Sequence, residues 1–227
     1  TAVMWYTKAA EQGYADAQSS LGLMYGNGEG VPENDKTAVM WFTKAAEQGY
    51  AMAQYNLALM HNNGYGVPQD YKTAVMWYTK AAVQGDAMAQ SNLGLMYDTG
   101  DGVPENDKTA VMWYTKAAEQ GNARAQYNLG VKYDNGEGVP ENDKTAVMWY
   151  TKAAEQGHAT AQYALGFNYD NGEGVQQDYK TAVMWYTKAA VQGDAMAQSN
   201  LGLMYDTGDG VPENDKTAVM WYTKAAE

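Results

Sequence analysis

The sequence repeats itself with a fixed period of 36 residues. One ten-residue stretch, Thr-Ala-Val-Met-Trp-Tyr-Thr-Lys-Ala-Ala, recurs without insertion, and its only change is Phe42 in place of tyrosine. Its copies begin at Thr1, Thr37, Thr73, Thr109, Thr145, Thr181 and Thr217. A fixed period of this length is typical of solenoids, in which each repeat buries its apolar face against its neighbours. The period therefore predicts a single solenoid domain over residues 1–227.

Each repeat predicts two helices, A and B, with a glycine-rich loop between them. In residues 50–84 an apolar helix A leads into the loop 63–66, where a glycine is expected to end the helix in the left-handed conformation. Asp70 is placed to cap the N-terminus of helix B, in which Trp77 and Tyr78 lie on one stripe with small alanines. Helix B is predicted near residues 1-11, 35-47, 71-83, 107-119, 143-155, 179-191 and 215-227. Helix A is predicted near residues 14-26, 50-62, 86-98, 122-134, 158-170 and 194-206.

Composition excludes several classes of function. The chain has no cysteine, which excludes disulfides and thiolate metal sites. Its net charge of −12 argues against nucleic acid as a partner, because phosphate binding needs clustered lysine and arginine. No apolar run approaches the roughly 18 residues of a membrane span. The chain lacks an initiator methionine and a targeting segment, so we expect a soluble fragment of a longer protein from an unknown compartment.

One full repeat carries a family pattern. It is formed by residues 125–130, Tyr133, residues 136–139, Asp143, Ala146 and residues 149–154. This pattern resembles the Sel-one-like repeat (SLR), a relative of the tetratricopeptide repeat, and it recurs in every period. Ala58 and His61 are small departures, where the pattern has glycine and tyrosine. The resemblance implies an all-α, right-handed superhelix of six antiparallel A/B pairs plus an extra N-terminal helix B. It also implies a non-catalytic scaffold or adaptor for protein partners, with the A helices lining the concave side.

Helix A varies between repeats on one face, whereas helix B barely varies. A helical wheel started at Asp16 places Ser20, Leu23 and Asn27 on the varying side, with Ser19 and Met24 flanking it. We expect this side to bind an extended peptide. Its asparagines would hydrogen-bond to the peptide backbone, and its tyrosines and methionines would contact the peptide side chains. Arg124 and Lys132 would bind a carboxylate. The predicted binding residues are Tyr55, Asn56, Asn92, Arg124, Tyr127, Asn128, Lys132, Tyr163, Phe167 and Asn168. The alternative is an ordinary solvated helix face without a ligand.

Other features suggest alternatives to a peptide scaffold. Helix B carries one methionine per repeat on a polar face, at Met4, Met40, Met76, Met112, Met148, Met184 and Met220. This row is either a docking or self-association strip, or it packs against the neighbouring repeats. Exposed ends would also favour a self-assembling array. His61 and His158 have no ligand cluster around them, and no nucleophile lies beside a base, so we expect no metal, no cofactor and no catalysis.

Two segments of the chain are identical. Residues 69–119 have the same sequence as residues 177–227, at an offset of three repeats. Duplication or deliberate assembly of a three-repeat block explains this identity better than independent drift.

Overall fold

The computed structural model describes residues 2–227, which form thirteen α-helices and no strand. Odd-numbered helices are the B helices of the sequence pattern, and even-numbered helices are the A helices. The helices are α1 (Ala2–Glu11), α2 (Ala15–Asn27), α3 (Asp35–Glu47), α4 (Ala51–Asn63), α5 (Tyr71–Val83), α6 (Ala87–Thr99), α7 (Asp107–Glu119), α8 (Ala123–Asn135), α9 (Asp143–Glu155), α10 (Ala159–Asn171), α11 (Tyr179–Ala190), α12 (Ala195–Thr207) and α13 (Asp215–Ala226). The predicted all-α fold of tandem helix pairs is confirmed.

The ends of the helices follow from their capping residues. Gly64 ends α4 with φ 74°, a left-handed conformation that glycine adopts without a steric penalty. Asp70 caps α5, and its Oδ1 atom accepts hydrogen bonds from the backbone N–H groups of Lys72 at 3.0 Å and Thr73 at 3.2 Å. Both predictions for this repeat are confirmed. Helix α4 begins at Ala51, one residue after the predicted 50, because Tyr50 is an extended N-cap residue with ψ 109°.

The chain divides into two compact units, of which one extends to Ala117 and the other begins at Ala118. In the first unit, α2 packs between α1 and α3, and α4 packs between α3 and α5. Alanines such as Ala45, Ala53 and Ala81 are fully buried there, so the helix backbones approach closely around Leu57 and Tyr78. The second unit has the same arrangement around Tyr150 and Tyr186.

A glycine in most A helices makes room for the aromatic ring of the following B helix. A Cβ atom at Gly130 would lie 2.5 Å from Cε1 of Tyr150, which is closer than real Cβ contacts come. The first unit shows the same relation between Gly22 and Phe42, with 2.7 Å to the ring. Because the glycine has no side chain, the ring of the following B helix packs directly against the backbone of helix A. It thereby lines the space between that helix A and the next one.

Within each unit, pairs of one buried and one exposed glutamine connect a repeat to the next. In the first unit, Gln54 Nε2 donates to the carbonyl of Ala46 at 3.1 Å, and Gln84 Nε2 donates to Gln54 Oε1 at 2.7 Å. The second unit repeats these bonds, from Gln162 to Ala154 at 3.0 Å and from Gln192 to Gln162 at 2.8 Å. We call each such chain of bonds a glutamine ladder. Since the bonds join consecutive helices, they fix how one repeat sits on its neighbour.

In the described part of the chain, none of the helices has the length and apolar character that crossing a membrane requires.

Candidate functional site

The variable positions of the A helices are largely exposed, and we call this side of each unit its A face. In the first unit it contains Met52, Asn56, Leu59, Asn63, Met88, Asn92 and Leu95. In the second unit it contains Arg124, Tyr127, Asn128, Val131, Thr160, Tyr163, Phe167, Met196, Asn200 and Leu203. The residues of each set range from half-buried to exposed. Most of the varying positions therefore lie on the side of helix A that solvent reaches.

Lys132 and Asn168 do not belong to this exposed side. Lys132 is only 4% exposed, and its Nζ lies 2.7 Å from Oε2 of Glu137 in the following loop. Asn168 is 2% exposed. Their position on helix A is about 80° around the axis from that of Arg124, on the side that packs against neighbouring chain. The prediction that Lys132 is a surface cation is therefore wrong, and Arg124 alone of the predicted carboxylate pair is exposed.

The first unit has a cavity of about 240 Å³ between α2 and α4 on its A face. Its walls include Leu23, Asn56 and Leu59, and Phe42 of α3 lies among the lining residues with Gly26. The later repeats have aspartate or asparagine in place of Gly26, and tyrosine in place of Phe42. At this cavity Phe42 therefore has no hydroxyl group and Gly26 has no polar side chain to pair with one, so the floor of the cavity is apolar.

The second unit has a cavity of about 300 Å³ between α8 and α10, and we call it the aromatic pocket. It brings together four of the predicted binding residues, which are Tyr127, Tyr163, Phe167 and Asn168. Its lining also contains Tyr150 of α9 and Asp134 at the end of α8, with Val131, Thr160 and Ala164.

The rings of the aromatic pocket are tilted against one another. The centroids of Tyr127 and Tyr150 are 5.8 Å apart, and those of Tyr163 and Phe167 are 6.5 Å apart. The Tyr150 hydroxyl donates to Oδ2 of Asp134 at 3.2 Å. The pocket is therefore open and lined by aromatic rings, with the Asp134 carboxylate hydrogen-bonded to Tyr150 at its floor.

Burial shifts the ionisation of the polar groups around this pocket. It raises the pKa of Asp134 from its usual value, and the nearby carboxylates of Asp143 and Glu141 raise it further, against the lowering effect of the Tyr150 hydrogen bond. Burial also raises the pKa of Tyr150 and of Tyr127, so both phenols stay neutral at physiological pH.

The other predicted binding residues occupy separate places. In the first unit, Tyr55 packs near Tyr78, with 6.1 Å between ring centroids, and Asn92 Nδ2 donates to the Tyr78 hydroxyl at 3.3 Å. Asn56 lines the apolar cavity of that unit. Asn128 is half-buried on α8. The ten predicted residues thus do not form one site.

The sequence interpretation missed Tyr150 and Asp134, because both are nearly constant among the repeats and it assigned constant positions to the core. A signal was nevertheless present in the printed sequence. The one repeat with phenylalanine at the Tyr150 position, at Phe42, is also the one with glycine at the Asp134 position, at Gly26. Their joint change indicates that the two side chains interact.

Neither histidine belongs to a cluster of ligands. His158 caps α10, where its Nδ1 atom accepts from the N–H of Ala161 at 3.2 Å, and its ring stacks on Tyr127 at 5.1 Å. Burial lowers the pKa of His158, and the nearby Arg124 lowers it further. A neutral imidazole at this place supports the wall of the aromatic pocket.

The methionines of the B helices are half exposed. Their exposed fractions lie between 42% for Met220 and 47% for Met4, so packing against the neighbouring repeats covers only about half of each side chain. Beside them, lysines lie over the buried tryptophan rings, as Lys80 does over Trp77 at 3.9 Å. In each unit the B helices therefore present a second face, of alternating methionine and lysine.

Comparison with known proteins identifies the repeat. The Sel1 repeat matches the chain at residues 1–14, 15–50, 51–86, 87–122, 123–158, 159–194 and 195–227. No curated protein matches the sequence.

Solved structures show the same fold. The chain is similar to c5321, a protective antigen of uropathogenic Escherichia coli strains that displays an SLR fold, with 41% identity and a TM-score of 0.94. That match covers 99% of this chain and 48% of the antigen, so the chain spans about half of the antigen's length. A Sel1 repeat protein from Oxalobacter formigenes matches with 36% identity and a TM-score of 0.85, over 95% of this chain and 86% of that one.

A more distant likeness shows the fold alone. Immunity protein Pa5087 from Pseudomonas aeruginosa has 23% identity and a TM-score of 0.53, over 93% of this chain and 81% of that one. Proteins built from Sel1 repeats are generally non-catalytic scaffolds for protein–protein interaction. With its repeats matched from end to end and two similar solved structures above 30% identity, this chain belongs to the Sel1 repeat family.

Proposed function

We propose that this chain is a non-catalytic scaffold that binds a peptide or an extended partner segment on the A face. The observation that carries the proposal is the location of the two cavities. Each of them opens between successive A helices, at positions where the repeats differ in sequence. Ligand sites in helical proteins commonly lie between helices and combine apolar walls with a few polar groups.

The chemistry of the A face supports an extended ligand. Asparagines such as Asn56 and Asn128 offer both a donor and an acceptor to a peptide backbone. Exposed apolar side chains, including Met52 at 49%, Phe167 at 40% and Leu203 at 51%, offer contact area for ligand side chains. The B helices, by contrast, keep nearly the same sequence in every repeat, so they carry little information with which to choose a partner.

Selection from a displayed library of random peptides tests the proposal. The whole chain is immobilised and the retained peptides are titrated against two double variants. Arg124→Glu with Phe167→Ala changes exposed residues of the A face and should weaken binding by at least about tenfold. Met148→Ala with Met184→Ala changes equally exposed residues of the B helices and should leave binding unchanged. Peptides that bind the first double variant as tightly as the original chain would place the site elsewhere.

A second candidate function is self-assembly through the B helices. It is favoured by the exposed methionines of the B helices, such as Met148 and Met184 at 44% each. Analytical ultracentrifugation over a hundredfold concentration range tests it directly. A mass that rises with concentration, and that Met148→Glu with Met184→Glu returns to that of one chain, would support assembly. A constant mass of one chain would exclude it.

A further inference from the structure

The aromatic pocket has an alanine, Ala164, at a position where α4, α6, α8 and α12 have asparagine. In the first unit Asn92 donates to the Tyr78 hydroxyl at 3.3 Å, and in the second unit Asn200 donates to the Tyr186 hydroxyl at 3.1 Å. Both asparagines lie on the A helix that follows the tyrosine. The equivalent residue opposite Tyr150 is Ala164, whose methyl group makes no such bond. The Tyr150 hydroxyl is therefore left with Asp134 and an open space in front of it.

The walls of this space are richer in aromatic rings than those of the next one. Tyr127, Tyr163 and Phe167 stand around the floor formed by Tyr150. One repeat later, the positions of Tyr163 and Phe167 are taken by Ser199 and Leu203. The faces of aromatic rings carry a negative electrostatic potential and attract cations that lie within about 6 Å. Three tyrosines and a phenylalanine in one cavity thus favour a cationic guest.

The charges around the pocket point the same way. Among residues 2–227, no lysine or arginine forms a salt bridge with Asp134, and the charges that act on it are the carboxylates of Asp143 and Glu141. A further carboxylate, Asp194, acts on Tyr127 and Tyr163. Arg124 lies ten residues before Asp134 on the same helix, so about 15 Å separates the two along the axis. A partly buried carboxylate without a paired cation is stabilised when a cationic ligand binds beside it.

We propose that the aromatic pocket binds an arginine side chain of the partner peptide. The guanidinium group is planar, so it stacks on tyrosine rings while its N–H groups donate to the Asp134 carboxylate. An ammonium group is more strongly hydrated and lacks the planar fork, which makes arginine the better fit to a cavity with flat walls. This proposal rests on the proposed function and names the partner chemistry that the A face selects.

A matched pair of peptides tests the pocket in the intact chain. One peptide is acetyl-Gly-Gly-Arg-Gly-Gly-amide, and the other has citrulline, which has the same shape as arginine but no charge. Titration of ¹⁵N-labelled protein should place the arginine peptide's shift changes among residues 127–168, with affinity about tenfold above that of the citrulline peptide. Equal affinities, or shift changes outside that segment, would overturn the proposal.

Variants separate the pocket from its neighbour. Ala164→Asn restores the side chain that occupies the equivalent places, and Asp134→Asn removes the charge, so each should weaken the arginine peptide about tenfold. Asp170→Asn makes the same change one repeat later, where Tyr186 donates to Asp170 at 3.2 Å, and should leave affinity unchanged. An equal loss in Asp170→Asn would show a general charge effect and refute the pocket.

The outcome also separates this proposal from the proposed function. If the random library yields A-face binders that lack arginine, the scaffold function stands and the arginine pocket is refuted. If the library yields no binder while the arginine peptide still shifts residues 127–168, the pocket stands and the extended-peptide function is refuted.

Discussion

The glutamine ladder of the second unit predicts how strongly two repeats are coupled. Gln162 is 5% exposed, and its side chain makes two hydrogen bonds, to the Ala154 carbonyl at 3.0 Å and from Gln192 at 2.8 Å. Each such bond contributes about 1 kcal/mol net. Gln162→Ala should therefore lower the free energy of unfolding by about 2 kcal/mol, less a few tenths for the better helix propensity of alanine. The full penalty for an unpaired carbonyl does not apply, because the Gly157 N–H also donates to Ala154 at 3.0 Å.

The partner substitution isolates the bond between the two glutamines. Gln192 is exposed, so Gln192→Ala should cost about 1 kcal/mol, since it removes the bond to Gln162 and a long bond to the Lys188 carbonyl at 3.4 Å. The double variant should then cost about 1 kcal/mol less than the sum of the two single variants, because both remove the same bond.

Urea unfolding gives these free energies, and amide hydrogen exchange shows where they act. Repeat proteins unfold by segments, so exchange at α10 and α11 is the decisive readout, with amides of the first unit as an internal reference. Fully additive single and double variants would refute the ladder as a coupling element. Faster exchange throughout both units would instead indicate a general loss of stability.

Three further predictions concern single residues. Burial raises the pKa of Asp134, so this carboxyl adds stability at acidic pH that is lost as the pH rises through its folded-state pKa. Asp134→Asn should therefore raise the melting temperature at about pH 7, where the buried carboxylate is costly. The gain should vanish at about pH 3. Gly66 has φ 69°, and a Cβ atom there would lie 2.5 Å from the Asp35 carbonyl carbon, so Gly66→Ala should lower the free energy of unfolding in urea by about 2 kcal/mol or more. Gly49 has φ 89° but open space around it, so Gly49→Ala should cost only the backbone strain of about 1 kcal/mol. Asp70→Ala removes the cap of α5 and should cost about 1 kcal/mol in the same assay, and an unchanged midpoint would contradict the capping role.

The sequence was sufficient to predict the repeat architecture because its signals are local and are repeated many times. Gly64 and Asp70 mark the ends of helices through their own backbone and side-chain chemistry, which needs no tertiary information. The alanine and tryptophan stripe of helix B likewise indicates close packing wherever it occurs. The start of α4 was misplaced by one residue, since an extended N-cap such as Tyr50 has no side-chain signature.

The candidate site was only partly predictable from the helical wheel. A wheel separates the two sides of one helix, but it does not show which flank the neighbouring chain covers. The wheel predicts a surface position for Lys132, a lysine on the varying side, whereas its ammonium group pairs with Glu137 and is buried. The floor of the aromatic pocket was missed for the opposite reason, as Tyr150 comes from helix B, whose constancy indicated only packing.

The identity of residues 69–119 and 177–227 has a consequence for how the chain finds its native arrangement. Since both segments present the same contacts, their local energetics do not distinguish the correct neighbour from its duplicate. Chain connectivity and the order of synthesis must make that choice, and the segments of two crowded nascent chains are interchangeable in the same way.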